Sequence, residues 1–252
     1  MKIKVIGSSV DGSLCQFAAS YVIDDHIAID AGSIGFTAVD AQRRIKHILI
    51  SHSHLDHIAS LPIFIDNVYE PGPDSVLVYG KSTVIECLQE NLFNDRVWPD
   101  VLRLSREATP FLKFVTIENE KPLKLGDITI TPVALDHVVP TFGFIIDDGE
   151  SAVAVVSDTG PTERVWELAN RNPRLKCVLL ESAFPNSMAW LAERTKHLTP
   201  ELMRQEYEKL DQSVPLIVVH VKPAYYEEVT AELKALNLPL LTISGPNREY
   251  EI

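Results

Sequence analysis

Residues 51–62 read Ser-His-Ser-His-Leu-Asp-His-Ile-Ala-Ser-Leu-Pro and place three of the chain's eight histidines and one aspartate within six positions. Neutral imidazole and carboxylate are the donors that divalent metals take, and a folding core has no use for four such groups side by side. The stretch follows an apolar run over 44–50 that predicts a buried strand, so His52 and His54 can project to one side as an extended i, i+2 pair. Asp56 and His57 open an amphipathic segment, 56–68, that predicts a helix and lets them face a second direction. One short loop can therefore contribute to two metal positions.

Outward from this loop, apolar runs alternate with turn signals along the whole chain. A strand is predicted over 3–6, then a loop of small polar residues over 7–13. A hairpin over 17–29 turns at Asp24-Asp25 and ends in Asp30-Ala31-Gly32, where Asp30 can cap the turn. His26 and His47 read as structural. A strand over 76–79 precedes a helix capped by Ser82. Runs at 111–117 and 128–135 predict a hairpin that leads into His137, and runs at 142–146 and 152–156 a second that leads into Asp158. Pro161 predicts a helix start, and Thr199-Pro200 a cap and first residue of another. Buried strands over 177–180 and 214–219 end at Glu181 and His220, followed by a helix over 227–236 and a strand over 240–243. Periodicity alone yields a mixture of α and β with no linker, repeat or low-complexity tract, hence a single domain over 1–252.

The segment resembles the H-x-H-x-D-H signature of the metallo-β-lactamase superfamily, and its fuller form, HSHLDHIASL, is similar to the class II cyclic-nucleotide phosphodiesterase branch. That resemblance implies a four-layer αββα sandwich of the α+β class and two divalent metal ions. His52, His54 and His137 would hold one, Asp56, His57 and His220 the other, with Asp158 bridging. The resemblance also implies that Asp30 supports the metal loop instead of only capping its turn. Zinc is the expected metal, with manganese or iron open to the same donors. Two such ions can activate a hydroxide between them and neutralise a phosphoryl oxygen, which suits hydrolysis of a phosphate ester. His197, in His-Leu-Thr-Pro, resembles a family motif and is the expected proton donor to the leaving oxygen, with Asp56 the other catalytic residue.

Three further stretches are similar to the same branch. In Asn94-Asp95-Arg96-Val97-Trp98-Pro99-Asp100, an aromatic ring, a guanidinium and an amide suit a nucleotide, so Asn94, Arg96 and Trp98 are expected substrate contacts. Lys222, in His-Val-Lys-Pro, is expected to meet phosphate as a point charge. Glu181-Ser182-Ala183-Phe184-Pro185-Asn186 departs from its counterpart at Ala183.

At 252 residues, 46% apolar and 23% charged, the chain can bury a large core. Its formal charge of −12 argues against a stable nucleic-acid partner, which wants a basic stripe. Cys15, Cys87 and Cys177 are widely spaced and predict reduced thiols in the cytoplasm. The apolar start breaks at Gly7, too soon for a signal peptide, and no run is long enough to span a membrane. The expected activity is opening of a 3′,5′-cyclic nucleotide to the 5′-monophosphate, acting on a small-molecule substrate with a homodimer left open. A tRNA-end-processing ribonuclease, a lactonase or thioesterase, and a non-catalytic ligand-binding domain are the alternatives. The ribonuclease would want a basic protruding arm, which this acidic chain lacks.

Overall fold

Near-continuous apolar runs in the central strands of both sheets, such as Ser20–Ile23, Ile27–Ile29, Ala152–Val155 and Leu216–Val219, mean that each sheet is covered on both sides. The computed structural model describes residues 1–7, 18–70, 75–107 and 110–252. The expected loop at 8–13 and Cys15 lie outside the described residues.

Strands β1 (Lys2–Gly7), β2 (Ser20–Ile23), β3 (Ile27–Ile29), β4 (His47–Leu49), β5 (Val76–Gly80) and β6 (Leu112–Thr116) build the first sheet. Strands β7 (Leu123–Leu125), β8 (Ile128–Leu135), β9 (Thr141–Asp147), β10 (Ala152–Val155), β11 (Leu175–Glu181), β12 (Leu216–Val219) and β13 (Leu241–Ile243) build the second, while β14 (Arg248–Glu251) returns to flank β1. The strands lie side by side in chain order in both sheets, β14 excepted.

Side chains from the two sheets meet in one apolar layer. Ile27, Ile29 and Leu49 of the first pack with Phe144, Val153, Val155, Leu179 and Ile217 of the second. The alternate residues point outward. Ala28, Ile48 and Ile50 pack under the helices α1 (Val39–Gln42), α2 (Leu55–Ile58), α3 (Leu61–Asn67), α4 (Ser82–Asn91) and α5 (Val101–Glu107). Ala154, Val178, Leu180, Leu216 and Val218 pack under α6 (Arg164–Asn170), α8 (Pro200–Tyr207) and α9 (Tyr226–Ala235), with α7 (Ala189–Thr195) beside them in the chain. The result is the four-layer αββα sandwich. No helix of the described residues is long and apolar enough to cross a membrane.

The structure departs from the sequence reading in four places. The helix expected over 56–68 is two, α2 and α3, because the Ser60 hydroxyl donates to the Ala31 carbonyl at 2.7 Å and Pro62 has no N–H to continue the ladder. The hairpin partner of β8 is the short β7, whereas residues 112–116 form β6, the parallel neighbour of β5 in the other sheet. The helix expected from Pro161 begins at Arg164. Lys81, not Ser82, occupies the cap of α4.

Strand direction fixes where the chemistry gathers. β9 is antiparallel to both β8 and β10, and β10, β11 and β12 are mutually parallel, so β8, β10, β11 and β12 all run one way. Their carboxyl ends, carrying the chain into His137, Asp158, Glu181 and His220, line one edge. The loop leaving β4 joins that edge: Phe142 N–H donates to the Ser51 carbonyl at 3.0 Å, and the Ser157 hydroxyl to Ser51 Oγ at 3.1 Å.

Candidate metal centre

The structure brings His52, His54, His137 and Asp158 together as one group of donors, Asp56, His57 and His220 as a second, and Asp158, His197 and His220 as a third. Within each group the donor atoms lie within 4.8 Å of one another. Asp158 belongs to the first and third groups and lies close to two donors of the second: its Oδ2 is 3.1 Å from His220 Nε2, 3.4 Å from His57 Nε2 and 3.7 Å from His52 Nε2.

Three of the imidazoles are oriented through Nδ1 by a group that accepts there, and this decides which nitrogen keeps its lone pair. His57 Nδ1 donates to Asp30 Oδ2 at 2.7 Å. The Ser51 hydroxyl donates to the same Asp30 oxygen at 2.8 Å and so accepts from His52 Nδ1 at 3.0 Å. His137 Nδ1 donates to the Lys196 carbonyl at 2.8 Å. The Nε2 lone pairs of His52, His57 and His137 are thereby turned inward. His54 contributes Nδ1, 3.3 Å from His137 Nε2.

His52 Nε2 and His57 Nε2 are buried with no hydrogen-bond partner among the described residues. A buried polar atom without a partner carries its full desolvation penalty. Two such atoms facing a buried carboxylate fit a cation, and the His and Asp donors fit a zinc-, manganese- or iron-type ion.

Electrostatics favour positive charge at the cluster: burial would lower the His57 pKa, but Asp158 and Asp30 raise it well above the usual imidazole range, so a proton on that ring balances Asp158 in the place a cation would take. Burial would raise the Asp158 pKa, but His220 and His57 outweigh it and hold the carboxylate well below its usual range. Burial likewise opposes ionisation of Asp56, and His220, His57 and Lys222 overcome it. His52 is pushed far down, by burial first and by His57 next, so it is neutral and able to donate a lone pair.

The backbone is bent to make this arrangement. Asp30 and His220 both sit at φ +60°, a left-handed conformation uncommon outside glycine. At Asp30 that bend points the carboxylate at Ser51 N–H, 2.7 Å away, and at His57. Gly32 follows because a Cβ there would come within 2.1 Å of the Asp56 carbonyl oxygen.

His197 lies at the rim of the donor cluster, buried, with Nδ1 donating to Glu181 Oε1 at 2.8 Å. Glu181, at the end of β11, also accepts from Thr159 N–H at 2.9 Å and Leu198 N–H at 3.2 Å. It therefore ties His197 to the segment carrying Asp158, a positioning role that its place in the chain did not reveal. The Thr199 side chain caps α8 as expected, accepting from Leu202 N–H.

Lys222 points into the cluster, whereas Asn94, Arg96 and Trp98 do not. Asn94 Oδ1 accepts from Arg96 and Val97 N–H at 3.0 and 2.9 Å, holding its own loop. Trp98 lines a cavity of about 310 Å³ with Ile65, Tyr69, Val101 and Phe111. Phe111 meets the amino end of β5 through its carbonyl and Val76 N–H, while Ser51 adjoins the carboxyl end, so the two lie at opposite ends of the sheet. The Asn94 amide braces this loop and the Trp98 ring packs on the apolar layer, while Arg96 is exposed, and none of the three lies among the donor groups. His26 and His47 bond to the Asp24 carbonyl and the Tyr79 hydroxyl, as structural histidines do. Cys87 and Cys177 are free thiols, and burial pushes the latter up to about 12.

Among the described residues, two seven-stranded sheets packed face to face between helices, with a His and Asp cluster at the strand ends, define the metallo-β-lactamase fold, as the resemblance implied. The chain superposes on the metallo-β-lactamase fold protein YhfI of Bacillus subtilis with a TM-score of 0.79 and 17% identity over 99% of each chain. Unliganded yeast PDE1 matches with a TM-score of 0.79 and 20% identity over 96% of each. Within that fold, residues 26–147 match the family of class-II cAMP phosphodiesterases. A Yersinia pestis protein named "Probable 3′,5′-cyclic-nucleotide phosphodiesterase" is 27% identical over 210 residues, 74% of this chain. The matched region spans 60% of that relative's length. The chain is thus a metallo-β-lactamase-fold protein that resembles the class-II cyclic-nucleotide phosphodiesterases.

Proposed function

We propose that the chain is a metal-dependent phosphodiesterase that hydrolyses a 3′,5′-cyclic nucleotide to the 5′-monophosphate. The observation that carries this reading is the convergence of inward lone pairs from His52, His57 and His137 on Asp158, beside a histidine backed by a carboxylate. His52, His54, His137 and Asp158 would hold one divalent ion, and Asp56, His57, His220 and Asp158 another. Ions held there would supply water activation and charge neutralisation at phosphorus.

The chain's own groups do the rest. Glu181 holds His197 by Nδ1, leaving Nε2 to protonate the departing sugar oxygen. Burial alone would lower the His197 pKa, but the Glu181 charge and hydrogen bond, with Asp158, raise it, so the ring holds a proton to higher pH than a free imidazole does. Asp30 and the Lys196 carbonyl keep His57 and His137 in the tautomers that face inward. The match to class-II phosphodiesterases favours a cyclic nucleotide over other esters.

The test is hydrolysis of cyclic AMP beside bis(p-nitrophenyl) phosphate, a lactone and a precursor tRNA, with a chelated control and Asp158→Ala. Cleavage of the cyclic nucleotide that is lost with the chelator and in the variant supports the reading. Full activity and metal content in Asp158→Ala would overturn the site, and cleavage of only the lactone or RNA would overturn the substrate.

A further inference from the structure

Of the donor groups assigned to the two metal positions, one has a lysine against it. Lys222 Nζ lies 3.0 Å from His220 Nε2 and 3.3 Å from Asp56 Oδ2. Those atoms belong to two of the three donors in the group with His57. His220 Nε2 also lies 3.1 Å from Asp158 Oδ2. An ammonium has protons to give and no lone pair to receive, so at Asp56 Oδ2 it occupies an electron pair that a metal ion would use, and beside His220 Nε2 it places a positive charge where that ion would sit. Among the described residues, no lysine or arginine side chain is bonded to His52, His54, His137 or Asp158. The nearby Lys196 Nζ is turned instead to Asp136 Oδ2 at 2.9 Å.

The lysine is aimed by its backbone. The left-handed bend at His220 turns the chain, Lys222 N–H then donates to the Ala183 carbonyl at 3.1 Å, and the Lys222 carbonyl accepts from Tyr225 N–H at 3.0 Å. Pro223 opens a short 3-10 turn at once. With its base pinned on both sides, the side chain reaches toward the cluster and stays only 28% exposed.

We infer that Lys222 makes the two metal positions unequal. The position formed by His52, His54, His137 and Asp158 fills first, and the position formed by Asp56, His57 and His220 fills only as the ammonium is displaced. Like charges a few ångströms apart in a partly buried site repel strongly, so each ion bound at the second position works against Lys222. Once displaced, the ammonium remains beside the site, where a phosphate can receive it. The inference rests on the metal reading proposed above and concerns the order and affinity of loading.

The experiment is calorimetric titration of chelator-stripped protein with Zn²⁺ and with Mn²⁺, with bound metal counted by elemental analysis after gel filtration. Wild-type protein is compared with Lys222→Met, Lys222→Gln and Lys222→Arg, each checked for an unchanged circular-dichroism spectrum. Wild type is expected to bind one tight and one weaker equivalent. The two neutral variants tighten the weaker one by roughly 10–100-fold, the scale on which groups around a metal act, and leave the tight one unchanged. Lys222→Arg keeps the charge and the wild-type separation. A weaker equivalent that stays the same or loosens in both neutral variants overturns the inference and leaves the metal site standing. Wild-type protein that takes up no ion overturns the metal reading, and the inference falls with it.

Discussion

Asp30 and His57 are joined by a 2.7 Å hydrogen bond in which both groups are fully or nearly fully buried, and the opposite nitrogen of the same ring faces Asp158 at 3.4 Å. A carboxylate 27 positions upstream therefore sets the chemistry of a candidate metal ligand.

Replacing Asp30 with Ala should lower metal affinity by roughly 10–100-fold, because the His57 tautomer and the Ser51 hydroxyl lose their common acceptor. Calorimetric titration of the stripped variant measures this directly. An affinity equal to wild type would mean that Asp30 serves only the turn it bends.

His197→Gln should keep its metal and lose roughly 10²–10⁴-fold in kcat, the usual contribution of a positioned acid. The proton donor is the charged ring, and its pKa is raised: burial opposes the charge, and Glu181 and Asp158 outweigh burial. The rate is therefore full below that raised pKa and declines as pH climbs through it. Glu181→Gln removes the main cause of the rise, so the alkaline limb of the kcat profile should move to lower pH. A limb that stays in place would detach Glu181 from the proton donor.

Gly32→Ala tests the backbone contact beneath the metal loop. The added Cβ would stand 2.1 Å from the Asp56 carbonyl oxygen and 2.7 Å from that of Ala19, both backbone atoms unable to rotate away. A loss of about 1–3 kcal/mol is expected from overpacking, read as a lower denaturation midpoint. An unchanged midpoint would show that the loop has room the geometry denies it.

Trp98→Ala separates packing from recognition. The ring sits against the apolar layer under the first sheet, with Val68, Leu92 and Phe114 also packed on that layer. Its removal should cost about 1–3 kcal/mol, less than a fully buried ring, and leave kcat/KM for a cyclic nucleotide unchanged. A large rise in KM with intact stability would restore the substrate role.

The sequence made the donors legible because they either cluster in the loop at 51–57 or stand just past an apolar run. Strand ends are where a buried run stops, and His52, His137, Asp158 and His220 all stand just past one. What orients them was not legible, since it depends on distant pairings. The Lys196 carbonyl that holds His137 lies 59 positions away, and a carbonyl has no residue signature. The loop at 94–100 is a related case: composition suggests what a loop could bind but not which end of a strand it borders. The edge strand β14, Arg-Glu-Tyr-Glu, carries no apolar alternation and is largely exposed, so only its pairing with β1 identifies it. The short helices α1, α5 and α7 gave too few turns for a periodic signal.

The donors are divided between the sheets. His52, His54, Asp56 and His57 leave the first, and His137, Asp158 and His220 leave the second, so neither half of the chain owns a finished site. During refolding from denaturant, high-affinity metal capture must therefore be a late event, following the docking of the halves and not the formation of either. A chromogenic chelator competing for the ion would then act as a clock for that docking, and a bound ion would fasten the two halves together.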